Sequence, residues 1–205
     1  DIIAFIVTII CSLIGYFTRI LAVRFGCNEY VGIALGGFAA MVSAYGFYSH
    51  IEQDSLVYVL VCCTLFMIPG VPLINAVIDT INNHILSGIT RAIRTILIVG
   101  SMTLGMAMAL YFNPMPAFSF VDIKPHVLSI EQIIGSFMAA ASFAVLFNAP
   151  VRLLLSIGIG GVLCVFIRNL VAVELGFSIA GATFVGAAVM SIIYVKVSTW
   201  LKTSS

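Results

Sequence analysis

Seven long apolar runs, separated by short polar connections, fix the class of structure this chain can adopt. Roughly twenty apolar residues in helical form cross the hydrocarbon core of a bilayer. Within that core only a helix or a closed barrel satisfies its own backbone groups. The runs are Ile2 to Leu21, Tyr30 to Tyr48, Ser55 to Ile78, Ile96 to Phe112, Ile130 to Phe147, Leu153 to Val173 and Phe177 to Leu201. Of the 205 residues, 62% are hydrophobic and 8% charged, against roughly 25% charged in an ordinary soluble domain. The expected fold class is all-α: a polytopic membrane helix bundle of about seven transmembrane helices.

A net charge of +1 provides no clustered Lys/Arg surface for nucleic acid, which is set aside. Cys11, Cys27, Cys62, Cys63 and Cys164 lie in or beside apolar runs, without the spacing of a zinc site or a disulfide framework, and read as small packing residues. His50, His84 and His126 fall in separate connecting segments, so neither a metal nor any other cofactor is expected. The chain opens on Asp1 with apolar residues at once, and the positive charges follow the first run, the reverse of a secretory signal peptide. That run is read as a spanning helix, and the chain as lacking its natural start.

Taking the connections alternately, one side collects Arg19, Arg24, Arg91, Arg94, Arg152, Lys196 and Lys202, seven of the nine basic residues. The positive-inside rule places that side in the cytoplasm and Asp1, His50 to Asp54 and Asp122 to His126 outside. The longest polar connection, "NPMPAFSFVDIKPHVLSIEQ", divides the chain after the fourth helix. Stretches such as "GIALGGFAAMVSAYG" and "GATFVGAA" bring small residues to helix surfaces, where close backbone approach drives packing in lipid.

An offset of 150 residues aligns "AVRFGCNEYVGIALGG" at Ala22 with "AVELGFSIAGATFVGA" at Ala172, pairing Ala22 with Ala172, Val23 with Val173, Gly26 with Gly176 and Gly36 with Gly186. The helix after Ala22 runs outward and its partner after Ala172 runs inward. That is the pattern of an inverted-topology repeat, in which two halves rock about a site often built on broken helices. Resemblance among Gly-rich membrane helices is the competing reading. A true repeat would put a second broken helix beyond Ser205, so the chain is expected to lack its C-terminal part as well.

The break in the first half lies in "MIPGVPLINAVIDTINNH", Met67 to His84. Pro69 has no N–H and clashes with the preceding turn, so the helix arriving from Ser55 is predicted to kink or end near Ile68. Gly70 allows the turn, and Pro72 suits the first position of a new helix. From there Asn75, Asp79 and Asn82 follow at i, i+4 and i+7, on one face. Backbone groups freed at membrane depth must meet protein, water or ligand, and an ionisable residue there marks a functional site. A polar solute with an ammonium and a carboxylate could use both kinds of freed group, with Asp79 binding the ammonium or taking a proton. A re-entrant or interfacial helix whose polar face meets water is the alternative, and Arg91 and Arg94 read as cytoplasmic anchors.

In "FNAPVR", Asn148 ends one helix, Pro150 prevents its continuation and Arg152 opens the next. A tight helix-to-helix turn accounts for this, with Asn148 kept as a candidate substrate contact. An intramembrane enzyme would need converging catalytic groups. Asp79 has no second intramembrane aspartate, no G-x-S-x-G occurs and the histidines sit at helix ends, so no catalytic residues are assigned. A non-transporting scaffold or channel subunit is the remaining alternative.

"IPGVPLINAVIDTINNHILSGITRA" resembles the Pro-Gly-x-Pro, Asn, Asp, Ser-Gly, Arg pattern of the threonine/serine exporter family, with Pro69, Gly70, Pro72, Asn75, Asp79, Ser87, Gly88 and Arg91 in the matching places. "FAVLFNAPVR" and "GATFVGA" resemble the start of that family's second module. The resemblance implies the C-terminal part of the family's first membrane module over 1–113, an extracytoplasmic connection over 114–128 and the N-terminal part of a second module over 129–205. It implies a proton-coupled secondary exporter of threonine and serine in the bacterial inner membrane, or of a small carboxylate such as succinate. The implied partners are the solute, protons and the lipid bilayer, with room for a homo-oligomer. Pro69, Gly70, Pro72, Asn75, Asp79 and Asn148 are the candidate substrate-binding and coupling residues, with Asn82, Ser87, Arg91 and Arg152 behind them.

Overall fold

Apolar runs in lipid close their backbone bonds internally, and every element among the described residues is helical. The computed structural model describes residues 2–47, 51, 53–113 and 129–200. The expected connection 114–128, with Lys124 and His126, lies outside the described residues, as do His50 and Lys202. In order the helices are α1 (Ile2–Arg24), α2 (Glu29–Gly46), α3 (Gln53–Cys62), α4 (Gly70–Ile81), α5 (Ile85–Phe112), α6 (Ile130–Leu146), α7 (Leu154–Glu174) and α8 (Ile179–Trp200). Short 3-10 turns at Leu65–Met67 and Val151–Leu153 precede α4 and α7.

Among the described residues, α1, α5, α7 with its 3-10 entry, and α8 are long and apolar enough to cross a membrane. The α3–α4 pair, bent by 55° at its break, adds a fifth span if it counts as one. The chain is therefore a multi-pass membrane protein. The two other expected spans are shorter: α2 has 18 residues and α6 has 17, about 26 Å of helix at 1.5 Å per residue against a ~30 Å core. Alpha-5 is longer than the sequence reading gave it, starting at Ile85 instead of Ile96. Arg91 and Arg94 interrupt the apolar run without interrupting the helix, because arginine is a good helix former.

The chain divides into two compact units, Asp1–Val121 and Asp122–Ser205. In the first, α2 packs between α1 and α5, α3 lies against α1 and α2, and α4 folds back on α5. Backbone-to-backbone approach makes these contacts. A Cβ on Gly36 would stand 2.9 Å from the Gly15 carbonyl oxygen, and one on Gly105 would run into the Ala34 carbonyl. Around them Val7, Cys11, Ala40, Met41, Leu60 and Cys63 form the apolar core. Cys11 and Cys63 pack as expected, whereas Cys27 and Cys62 are exposed. Outward-facing Phe5, Leu13 and Phe17 leave α1 an apolar surface suited to lipid.

The break is more extended than the prolines alone predict. Alpha-3 ends at Cys62, six residues before Ile68. There the Cys63 thiol reaches the Leu60 carbonyl at 3.2 Å and the Thr64 hydroxyl reaches the Val61 carbonyl at 3.0 Å, taking acceptors that a continuing helix would use. Ile68 is extended (ψ 121°), as the residue before a proline should be. Pro69 caps α4 and Gly70 opens it, so Pro72 is its third residue and not its first. Its missing N–H still falls in the first turn, where no intrahelical acceptor exists.

Three helices end in the same left-handed way. Cys27 N–H bonds the Ala22 carbonyl with Gly26 at φ 85°, His84 N–H bonds Asp79 with Asn83 at φ 62°, and Ala149 N–H bonds Ala144 with Asn148 at φ 57°. Each is a Schellman end, favoured by glycine or asparagine.

In the second unit α7 packs against α6 and α8. Gly158 lies under Phe137, and the Tyr194 hydroxyl donates to the Ser156 carbonyl at 2.5 Å. Asn169, 5% exposed, joins α6 to α7 by donating to Gln132 Oε1 at 3.1 Å, while its own Oδ1 accepts from Arg168. Cross-helix bonds of this kind hold membrane helices together.

Candidate functional site

Asn75 and Asp79 stand one turn apart on α4, and Ser87 and Arg91 stand one turn apart on α5. The Asn83 Schellman end folds the two helices together, so these faces meet. Ser87 Oγ donates to Asp79 Oδ2 at 2.7 Å, and Arg91 Nε lies 3.3 Å from the same oxygen. The fold-back depends on Gly88, where a Cβ would collide with Thr80 Oγ1 and stand 3.0 Å from the Ala76 carbonyl. The Ser-Gly pair of the sequence thus does two things: Ser87 holds the carboxylate, and Gly88 lets the helix carrying it come close.

Arg91 also faces a cleft of about 450 Å³, opened by the break between α3 and α4. Pro69, Pro72 and Asn75 line one wall, Arg19 and Glu29 another, and Arg91, Arg94 and Ile98 the α5 wall. The volume holds several waters at roughly 30 Å³ each, or a small solute. Gly70 N–H turns back to the Ile68 carbonyl at 2.9 Å, Pro72 has none and Leu73 N–H bonds Pro69. That leaves the N–H of Val71, a residue of the cleft lining, without a backbone acceptor among the described residues.

Glu29, in the first turn of α2, joins three helices. Its Oε2 is 3.1 Å from Arg94 Nη2 on α5, and its Oε1 is 3.7 Å from Arg19 Nη2 on α1. With the Arg91–Asp79 pair, these contacts set two carboxylates, Glu29 and Asp79, against three arginines.

Of the sequence candidates, Pro69, Pro72 and Asn75 line the cleft, and Gly70 sits between them at the start of α4. Asp79 does not line it; Arg91 joins the two. Asn82 is exposed at the end of α4, away from these contacts. Asn148 and Arg152 belong to the second unit, where Asn148 closes α6 and both side chains are exposed. Arg91 and Arg94, read as anchors, carry the cleft's α5 wall. Glu29 was not singled out by its sequence. The available signal was charge: with Asp79 it is the only acidic residue on the side that collects seven basic ones. Among the described residues no three His, Cys, Asp or Glu side chains are grouped to hold a metal ion.

Fold and cleft define a multi-pass helical membrane protein with a broken helix opening on a charged hollow. Residues 1–113 match the family model described as "Putative threonine/serine exporter", and residues 132–205 match a second described as "Threonine/Serine exporter, ThrE". The chain belongs to the threonine/serine exporter family, a family of transporters and not of enzymes. No curated protein and no solved structure matches it.

Proposed function

We propose that this chain forms membrane modules of a secondary exporter moving threonine, serine or a similar small polar amino acid outward across the bacterial inner membrane, driven by the proton gradient. The observation that carries this reading is the juxtaposition at the break: a cleft with Asn75, Arg91 and the Val71 N–H on its walls, and a carboxylate, Asp79, tied to Arg91 from behind. Those donors suit a carboxylate and a hydroxyl. Protonation of Asp79 dissolves its ion pair and releases Arg91 toward the substrate carboxylate; loss of the proton draws Arg91 back. One guanidinium thus serves proton and substrate in turn, which links their fluxes.

In this reading α2 and α6 also cross the bilayer, making seven spans, and the two units are the family's first and second modules. The inverted repeat is supported by the spacing of the helix ends: α1 ends at Arg24 and α2 begins at Glu29, and 150 residues on, α7 ends at Glu174 and α8 begins at Ile179. Gly26 and Gly176, at φ 85° and 64°, occupy the same place in the two turns. A second reading, export of a small dicarboxylate, draws on the excess of arginine over carboxylate along the cleft.

The test is threonine efflux from exporter-deficient cells loaded with a threonine-containing dipeptide, comparing the protein with its Asp79→Asn variant. Efflux that collapses with the proton gradient and fails in a well-folded Asp79→Asn protein is expected. Unchanged, gradient-driven efflux by that variant rejects the coupling role. Succinate efflux without threonine efflux changes the substrate, and flux of neither solute rejects the carrier.

A further inference from the structure

We infer that Glu29 selects substrates bearing an ammonium group, an inference that rests on the exporter reading and specifies its substrate site. Glu29 is the one carboxylate among the residues lining the cleft, where it faces Arg19, Arg91 and Arg94. Asp79 offsets Arg91 from behind, and among the described residues Glu29 is the carboxylate paired with Arg19 and Arg94. Without it the lining would carry cations only, a field that favours anions over zwitterions.

The two oxygens of Glu29 are held unequally. Oε2 accepts from Arg94 at 3.1 Å, whereas Oε1 stands 3.7 Å from Arg19, beyond hydrogen-bonding distance. Oε1 therefore retains lone pairs for another donor, and the carboxylate is 41% exposed. Glu29 and Arg19 also border a second hollow lined by Tyr16, Ile20, Val23 and Arg24. Their loose pair is the wall shared by the two hollows, so an ammonium can reach the carboxylate from either. An amino acid bound with its carboxylate toward Arg91 carries its ammonium on the adjacent carbon, where it can turn to Glu29 in the lining of the same cleft.

A purely structural Glu29, clasping α1 to α5 through its two arginines, would affect every solute alike. The test compares threonine with 2,3-dihydroxybutanoate, which keeps the carboxylate and hydroxyl but replaces the ammonium with a second hydroxyl. Counterflow is measured in proteoliposomes holding the full protein or its Glu29→Gln or Glu29→Asp variant. In Glu29→Gln the half-saturating threonine concentration should rise about tenfold, the worth of one charge-assisted hydrogen bond, with the maximal rate little changed. Uptake of 2,3-dihydroxybutanoate should hold or improve, and Glu29→Asp should keep the threonine preference. Equal losses for both solutes, or unaltered threonine kinetics in Glu29→Gln, overturn the inference. Should Glu29→Gln fail to fold, Arg19→Gln provides the second arm: removing the competing cation beside Oε1 should lower the half-saturating threonine concentration, and a rise overturns the inference. An unaltered protein that moves neither threonine nor succinate overturns the exporter reading itself, and one that moves succinate alone overturns the ammonium selectivity, results distinct from these.

Discussion

The Ser87 hydroxyl donates to Asp79 Oδ2 at 2.7 Å across the turn joining α4 to α5. Arg91 approaches the same oxygen, so the carboxylate is oriented by two α5 groups one turn apart. Ser87→Ala removes one of them and leaves the ion pair. Initial threonine efflux should fall about three- to tenfold, in line with one hydrogen bond to a charged acceptor at a partly exposed site. Efflux at the unaltered rate would show that Arg91 alone positions Asp79.

At Gly88, α5 comes too close to α4 to leave room for a side chain. Gly88→Ala should destabilise the protein by about 1–3 kcal/mol, the usual cost of overpacking a close contact, read as a lower melting temperature in detergent. Thr80→Ala in the same chain removes the nearest obstacle, Thr80 Oγ1, but leaves the Ala76 carbonyl. It should restore part of the loss and not all of it. Full stability in Gly88→Ala alone would mean that the two helices separate freely.

Asn148 tests a conformational role against a chemical one. Its φ of 57° is a conformation glycine adopts without strain. Asn148→Gly should therefore keep both stability and efflux, whereas Asn148→Ala should lose about 1 kcal/mol of stability from the left-handed strain. Loss of efflux in a stable Asn148→Gly protein would instead make the amide a substrate contact.

The paired turns give a direct test of orientation. Cys27 follows Gly26 and is exposed, and Phe177 follows Gly176 and is exposed in the corresponding turn. In chains with a single cysteine, a membrane-impermeant maleimide should label Cys27 only in inverted vesicles and Phe177→Cys only in right-side-out ones. Labelling of both from one side overturns the inverted repeat and the count of seven spans together.

The sequence was most legible where a residue acts on its own neighbourhood. Pro69 forces Ile68 into extended backbone whatever surrounds it, so the break could be read directly. Its upstream edge at Cys62 could not, because side chains of Cys63 and Thr64 set it and both are ordinary in a helix. The i, i+4 spacing puts Asn75 and Asp79 on one face of α4, and Asn82, three residues on, caps the helix. Arg91 and Arg94 read as the edge of a span in the sequence because hydropathy records charge and not helical continuity. Glu29 and Arg94 are 65 residues apart, and only the packing of α2 on α5 brings them together.

The glycine contacts around α2 limit how the first unit can move. Gly36 rests on the Gly15 backbone, and Gly105 rests on the Ala34 backbone. Contacts between main chains have no rotamers to yield, so α1, α2 and α5 cannot slide past one another in small steps. They form a stiff plank, and α4 is pinned to it at Gly88. The remaining joint is the stretch from Cys63 to Pro69, where a short 3-10 turn and local backbone bonds replace the continuous helical ladder. Any widening or narrowing of the cleft then works like a door on a short hinge, its frame fixed by glycine and its swing set by the few residues between α3 and α4.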